Sequence, residues 1–383
     1  MTNNPLIILA IDGGGIRGII PAYILNQIEQ TVGMPCYKMF DIIGGTSTGG
    51  ILSAGLTTPN ANSNTGTMPF TAAELLNIYE TRGASIFVAQ NCEVDYCATY
   101  VADDGKGKGV EPFLQEIAGK RTTLSYAQKT VTALAGARIK QMFTTGYIVN
   151  STGNTVQDPV QGKDFGPYLF NWADAAVNPN DDYYVWEAAR ATSAAPVYFP
   201  IANVGGGAGN RSPALSKWVL DGGTMSNNPA VWGFSEAFRL GLTSGINNII
   251  VISLGTGVYP GENGIGIHTN YGHLTPDNGN WSETPWMLEK MYDLEGYETD
   301  ATLLNIILSA VPLVADCQLN ALIKAGLQYY RLEPFITQSL GAMDDVSPSN
   351  IRALQTAADK YISDGGAGNQ MFNDIIKLLK AHV

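Results

Sequence analysis

Histidine is scarce in this chain: His268, His273 and His382 are all that its 383 residues contain. The first two lie among Gly, Asn, Thr and Pro, and the third is next to the C-terminus, so none has a rigid element to place it. Cysteine is nearly as rare. Cys36, Cys92, Cys97 and Cys317 are scattered, only Cys92 and Cys97 are close, and no Cys/His set has zinc-type spacing. The thiols read as reduced, and no metal site or cofactor is expected. Positive charge is in short supply too. Lys and Arg number 22 against 34 Asp and Glu, which gives a formal net charge of -12 and a pI near 4.7. A nucleic-acid binder carries a basic patch, so that class is excluded. Whole-molecule attraction to an anionic bilayer is excluded as well, while a local patch is not. Long apolar runs are missing: the longest, Leu303 to Ala315, is too short to span a bilayer and contains Pro312. Met1 to Pro5 lacks a basic region, and the apolar run behind it enters a glycine loop instead of a cleavage site. A soluble, cytoplasmic protein is therefore expected, with export by another route left open.

What the chain does have is apolar residues (45%) and 43 glycines, enough for a sizeable core and many tight turns. Leu6 to Ile11 is a continuous apolar run, the pattern of a parallel strand buried on both faces. Ile16 to Gln30 has helix spacing, and Met39 to Ile43 reads as the next strand. Thr71-Ala72-Ala73-Glu74 fits a capping box that opens a helix through Tyr79. Asn60 to Thr67, Asn91 to Gly109 and Gly205 to Arg211 read as loops. Thr130 to Ala135 and Ile139 to Thr145 alternate as strands do. Asn150 to Asn180 reads as loop-rich, its Phe165, Tyr168, Phe170 and Trp172 forming a satellite core in preference to a lid. Trp186 to Thr192 and Pro229 to Leu240 read as helices, and Trp218 to Leu220 and Ile249 to Leu254 as strands. Beyond Trp281 the expectation is helix over about Pro285 to Tyr292, Leu303 to Leu322, Asn350 to Ile362 and Gln370 to Ala381, apart from Gln328 to Leu332. Strands followed by glycine turns and helices make an α/β pattern with a mainly parallel sheet. No repeat or linker divides the chain, so one domain over residues 1–383 is expected, with a core near 6–260 and a largely helical part near 281–383.

Three stretches carry chemistry. Gly45, Ser47 and Gly49 form G-x-S-x-G between an apolar strand and a helix, which suits a nucleophile elbow. Gly13, Gly15 and Gly18 form G-x-G-x-x-G directly after a strand. A dinucleotide fingerprint would need an acidic residue ending the next strand, and that strand ends in Gly44-Gly45. The other reading is a nest of backbone N–H donors that stabilises an oxyanion near Ser47, with the charge of Arg17 beside it or held in a structural ion pair. Asp221-Gly222-Gly223 ends a third strand, where Asp221 could act as general base or serve only as a turn residue.

Together, Asp12 to Gly18, Gly45 to Gly49 and Asp221-Gly222-Gly223 resemble the signatures of patatin-like phospholipases. Ala191 to Pro196, Tyr198-Phe199-Pro200 and Ser253 to Gly257 agree, and Tyr329 to Leu332 extends the likeness. The resemblance covers about residues 6–260. It implies an α/β lipid acyl hydrolase with a Ser–Asp dyad, no catalytic His and no metal. It assigns Ser47 as nucleophile, Asp221 as base and Gly13, Gly14 and Gly15 as the oxyanion-hole lining, with Arg17, Gly18, Gly45, Gly49, Gly222 and Gly223 supporting them. Its substrates would be membrane phospholipids, galactolipids or simple esters, met by peripheral contact. Two alternatives stay open at this point: an α/β-hydrolase esterase with a Ser–Asp–His triad using His268 or His273, and a non-catalytic storage or scaffold protein.

Overall fold

Every residue of Leu6–Ile11 is buried, as a strand lying between two helical layers requires. The computed structural model describes residues 4–60, 63, 66–90, 97–151, 165–205, 216–258, 291–292, 298–299 and 302–383. The strands are β1 (Leu6–Ile11), β2 (Ile42–Gly45), β3 (Gln141–Ser151), β4 (Gly166–Asn171), β5 (Ala202–Val204), β6 (Lys217–Asp221) and β7 (Ile249–Leu254). A separate ribbon of β8 (Met291–Tyr292) and β9 (Glu298–Thr299) precedes β10 (Gln328–Leu332). The main sheet runs β10-β7-β1-β2-β3-β6-β5, with β4 also on β3. β10, β7, β1, β2 and β3 are parallel; β4, β5 and β6 are antiparallel to their neighbours. The expected α/β architecture is thus present, as a mixed sheet with a parallel centre.

The helices are α1 (Ile19–Val32), α2 (Cys36–Met39), α3 (Thr48–Thr57), α4 (Ala72–Ile86), α5 (Val110–Ala118), α6 (Leu124–Thr132), α7 (Trp172–Val177) and α8 (Val185–Thr192). After them come α9 (Gly223–Ser226), α10 (Ala230–Arg239), α11 (Thr302–Ile323), α12 (Pro348–Ser363) and α13 (Ala367–His382). Side chains alternate across a strand, and β1 divides accordingly. Ile7, Leu9 and Ile11 pack with α1, α3 to α6, α12 and α13, while Leu6, Ile8 and Ala10 pack with α10 and α11.

Strand β3 sets the position of the site. Its Phe143 and Thr144 pair with β2 on one edge and β4 on the other, and its Gly146 pairs with β4 and with β6. So β2 and β6 share one edge of β3 and run towards each other along it. β2 ends with Gly45 opposite Thr144, and β6 ends with Asp221 opposite Gly146. The turn after β2 and the last residue of β6 therefore meet.

Several sequence expectations need correction. Thr130 to Ala135 is not a strand: α6 runs to Thr132, capped by Thr123 Oγ1 on the Tyr126 amide, with Leu124, Ala127 and Val131 buried at helix spacing. Residues 36–39 are helical, so β2 starts only at Ile42, and α4 continues past Tyr79 to Ile86. Asn150 to Asn180 contains β4 and α7, and Phe170 and Trp172 belong to the larger core itself. Met291 and Tyr292 form a strand, not the end of a helix; positions 285–290 lie outside the described residues, as do 206–211. Cys36 and Cys317 are free, but Cys97 is disulfide-bonded, against the reading of four reduced thiols. Among the described residues no helix is long and apolar enough to cross a membrane.

Glu29 shows how the α layer is tied down. Its buried carboxylate accepts the Cys36 amide at 2.8 Å and the Ala72 amide at 2.7 Å, fixing the starts of α2 and α4. Glu29→Ala leaves two buried N–H groups without an acceptor, each worth about 1–3 kcal/mol. A loss of about 2–4 kcal/mol is expected, read as a fall in the urea midpoint at unchanged slope. A midpoint within experimental error of wild type would show that water replaces the carboxylate.

Candidate active site

Ser47 stands between β2 and α3 as the N-cap of the helix, with φ 52° and ψ -122°. Ser47 and Val197 are the non-glycine residues with positive φ among the described residues. Such a backbone costs of order 1–3 kcal/mol and persists only where its surroundings over-determine it. They do so here. The Ser47 amide donates to Thr192 Oγ1 at 3.0 Å. Its neighbour Thr46 donates to the Ser226 carbonyl at 2.6 Å and lies 2.7 Å from Thr145 Oγ1. Gly49 has no room for a side chain, since a Cβ there would sit 2.1 Å from the Ile11 carbonyl oxygen. Gly45 packs equally closely on Gly49. The Ser47 side chain is left half-buried above the open first turn of α3.

Asp221 is buried, and its backbone is fixed from the α8 side. Its amide donates to the Ala194 carbonyl at 3.1 Å, and the Gly222 amide donates to the Thr192 carbonyl at 3.3 Å. Thr192 thus holds both halves of the site. Asp221 Oδ1 accepts the Gly223 amide at 2.6 Å, while Oδ2 is buried without a hydrogen bond of good geometry. Burial pushes the carboxyl up to about 7, against the Gly223 amide, the Ser47 hydroxyl and the charge of Arg190, which all favour the ionised form. Arg190 is buried in α8, where Nε meets Glu111 at 3.2 Å and Nη2 donates to the Pro200 carbonyl at 2.6 Å.

The glycine loop lies against Ser47. A Cβ on Gly13 would be 3.0 Å from Ser47 Cβ and 2.3 Å from Asn227 Oδ1, so only glycine lets the loop approach this closely. The three expected donors are not equivalent. The Gly13 amide is committed to the Asn227 carbonyl at 3.2 Å. Those of Gly14 and Gly15 have no acceptor among the described residues, and the next amide, Ile16, donates to the Met343 carbonyl at 2.8 Å. Gly15 has φ 59°. Gly18 packs on Thr48 at the start of α3. Arg17 forms no ion pair among the described residues; it donates to the Gly14 and Gly257 carbonyls at 3.4 and 3.3 Å.

The structure brings the singled-out Gly13, Ser47 and Asp221 stretches to one place, and sequence reasoning missed the residues that hold them there. Thr192 sits inside the Ala191 to Pro196 stretch, whose only signal was similarity. Asn227 and Arg190 gave none. His382 is remote: Arg138 donates to both its carbonyl and that of Pro5, which places it beyond the start of β1. The site lies past the other end of that strand, about 20 Å away at the usual rise. His268 and His273 lie outside the described residues. Among the described residues no group of three or more His, Cys, Asp or Glu could hold a metal ion.

A family model described as patatin-like phospholipase matches residues 9–231, more than half of the chain. Patatin-15 of Solanum tuberosum is 28% identical over 373 residues, covering 91% of this chain and 81% of its own. Patatin-17 of Solanum cardiophyllum is 27% identical over 381 residues, covering 93% and 83%. Among solved structures, VipD from Legionella pneumophila aligns over 99% of this chain and 67% of its own, at 11% identity and a TM-score of 0.39.

Proposed function

The chain belongs to the patatin-like phospholipase family, and from that membership we propose that it hydrolyses fatty acyl esters of phospholipids or galactolipids through a Ser47–Asp221 dyad. One observation carries the assignment: the strained elbow that presents Ser47 faces the end of β6, where Asp221 is buried with a raised affinity for protons. Asp221 takes the Ser47 proton as Oγ attacks the ester carbonyl. The amides of Gly14 and Gly15 receive the developing oxyanion, and Gly13 provides the close approach. Collapse expels the alcohol, which takes the proton back from Asp221, and leaves an acyl-serine. Water then repeats the sequence with Asp221 again as base. Gly45, Gly49, Gly18, Gly222 and Gly223 shape the turns, and Arg17 braces the loop. Substrate is met at a lipid surface by peripheral contact. The test is incubation with mixed phospholipid and galactolipid vesicles, with the products identified by mass spectrometry and a serine-reactive phosphonate adduct mapped. Free fatty acid together with an adduct on Ser47 is expected; an adduct on another serine would refute the assignment.

The raised affinity of Asp221 for protons has a kinetic consequence. The base must be ionised to accept a proton, and ionisation occurs as pH rises through about 7. The expected kcat/KM therefore increases tenfold per pH unit below about 6 and levels above about 8, because this ratio reports groups on the free enzyme. A flat profile between pH 5 and 8 on a soluble ester would show that Asp221 is not the titrating base.

A further inference from the structure

The Gly13–Gly15 loop poses a physical problem. Adjacent glycines are the most mobile backbone available, yet oxyanion donors work only when they are fixed before the reaction. The brace comes from the C-terminal part of the chain. Asp12, which ends the run into the loop, is buried and gripped by Arg331 of β10 through both carboxylate oxygens, at 2.9 and 2.6 Å. Arg331 Nη1 also donates to Ser253 Oγ at 2.7 Å, and Nη2 donates to Glu333. The other oxygen of Glu333 accepts the Gly257 amide at 2.6 Å. Gly257 returns its carbonyl to Arg17, which holds the Gly14 carbonyl, and Thr256 Oγ1 holds the Gly13 carbonyl at 2.7 Å. The circuit Asp12–Arg331–Glu333–Gly257–Arg17–Gly14 closes around the donors.

We infer that Arg331 and Glu333 are positioning residues for the oxyanion donors, acting through Asp12 on one side of the glycine loop and through Gly257 on the other. The inference rests on the Ser47–Asp221 reading and extends it, because Arg331, Glu333 and Gly257 all lie outside the matched residues 9–231. It gives the C-terminal part a task in the chemistry. Charge supports it. Burial works against the Arg331 guanidinium, but Asp12, Glu333 and Asp316 together outweigh burial and keep it protonated. A buried ion pair is a poor source of net stability, so its retention here is better matched to holding Asp12 in one geometry. The bidentate fork also sets the plane of the Asp12 carboxylate, which a single ammonium cannot do.

The test compares Arg331→Met, Arg331→Lys and Glu333→Ala with wild type on one soluble ester, with folding checked by circular dichroism. Each variant is also titrated with a trifluoromethyl ketone, whose hemiketal adduct with Ser47 places an alkoxide where the oxyanion forms. Misplacing donors that act in the transition state lowers kcat and leaves KM nearly alone. Arg331→Met is expected to lose about 10²–10³ in kcat, the cost of one oxyanion donor, with KM within about threefold. Ketone affinity should weaken in parallel, and Arg331→Lys should recover only part of both. Glu333 is the more exposed member, at 21% of its side chain against 12% for Arg331, so Glu333→Ala serves if Arg331→Met does not fold. Its expected loss is about tenfold or more in kcat, again without a matching rise in KM. A folded Glu333→Ala with wild-type kcat and ketone affinity, or with only a raised KM, overturns the inference while leaving the dyad standing. A fully active Ser47→Ala would instead overturn the dyad and this inference together.

Discussion

Ser47→Ala is expected to lower ester hydrolysis by about 10⁴- to 10⁶-fold, the range for removing a nucleophile from a coupled unit, while the fold survives. The side chain is half-buried and carries little of the core, so the loss is chemical. The backbone gives an independent check. Ser47 has φ 52°, a region where a Cβ is strained and glycine is not. Ser47→Ala keeps the Cβ and the strain, so its melting temperature should match wild type. Ser47→Gly removes both, and should be as inactive as Ser47→Ala yet more stable by about 1 kcal/mol. With those outcomes the pair would separate two roles of one residue, a hydroxyl needed for turnover and a conformation that costs stability. Measured turnover by Ser47→Ala near the wild-type rate would remove Ser47 from the mechanism. A Ser47→Gly variant less stable than Ser47→Ala would mean that the elbow is not strained. Phosphonate labelling should fail in both variants.

The local parts of the site were legible in the sequence because glycine and serine fix turns over a few residues. The β1 run, the G-x-S-x-G elbow and the capping box at Thr71 all depend on neighbours within one turn, and all three are found. Thr130 to Ala135 went wrong for the same local reason: alternation over six residues cannot outweigh a capped helix whose buried stripe begins at Leu124. The pairing of Ser47 with Asp221 was legible only through family resemblance and from no local pattern, since β2 and β6 are brought head to head by sharing one edge of β3. Nor could sequence order reveal that Asn227 takes up the Gly13 amide. The brace is further still from view. Asp12 and Arg331 are 319 residues apart, and a lone arginine in Tyr329 to Leu332 looks like any solvated strand charge until β10 is placed beside β7.

The second large effect is expected at Asp221, and it separates a dyad from a triad. In a Ser–His–Asp enzyme the histidine carries the proton from nucleophile to leaving group, and its loss removes most of the rate. Here the carboxyl itself is buried beside Ser47 and binds its proton with a pKa of about 7. A carboxylate with that affinity is matched to proton transfer near neutrality, where an ordinary aspartate near 3.9 is a poor base. Asp221→Asn keeps the shape and the acceptor for the Gly223 amide but cannot take a proton. A loss of about 10⁴-fold in kcat or more is expected, no smaller than the effect of the same change at an aspartate that only orients a catalytic histidine. Removing His268, His273 and His382 together should leave activity within about tenfold, which is roughly 1.4 kcal/mol of barrier. His382 is held at the far end of β1 by the Arg138 bond to its carbonyl, so it has no path to Ser47. For His268 and His273 the expectation comes from the sequence: both lie among Gly, Asn, Thr and Pro, with no rigid element to place them. The comparison uses folded protein and one soluble ester from pH 5 to 9. The titration near 7 should persist in the triple His variant and vanish from the residual activity of Asp221→Asn. Collapse of activity in a single His variant, with Asp221→Asn still turning over, would place this chain among the triad esterases and leave Asp221 as the residue that orients the histidine.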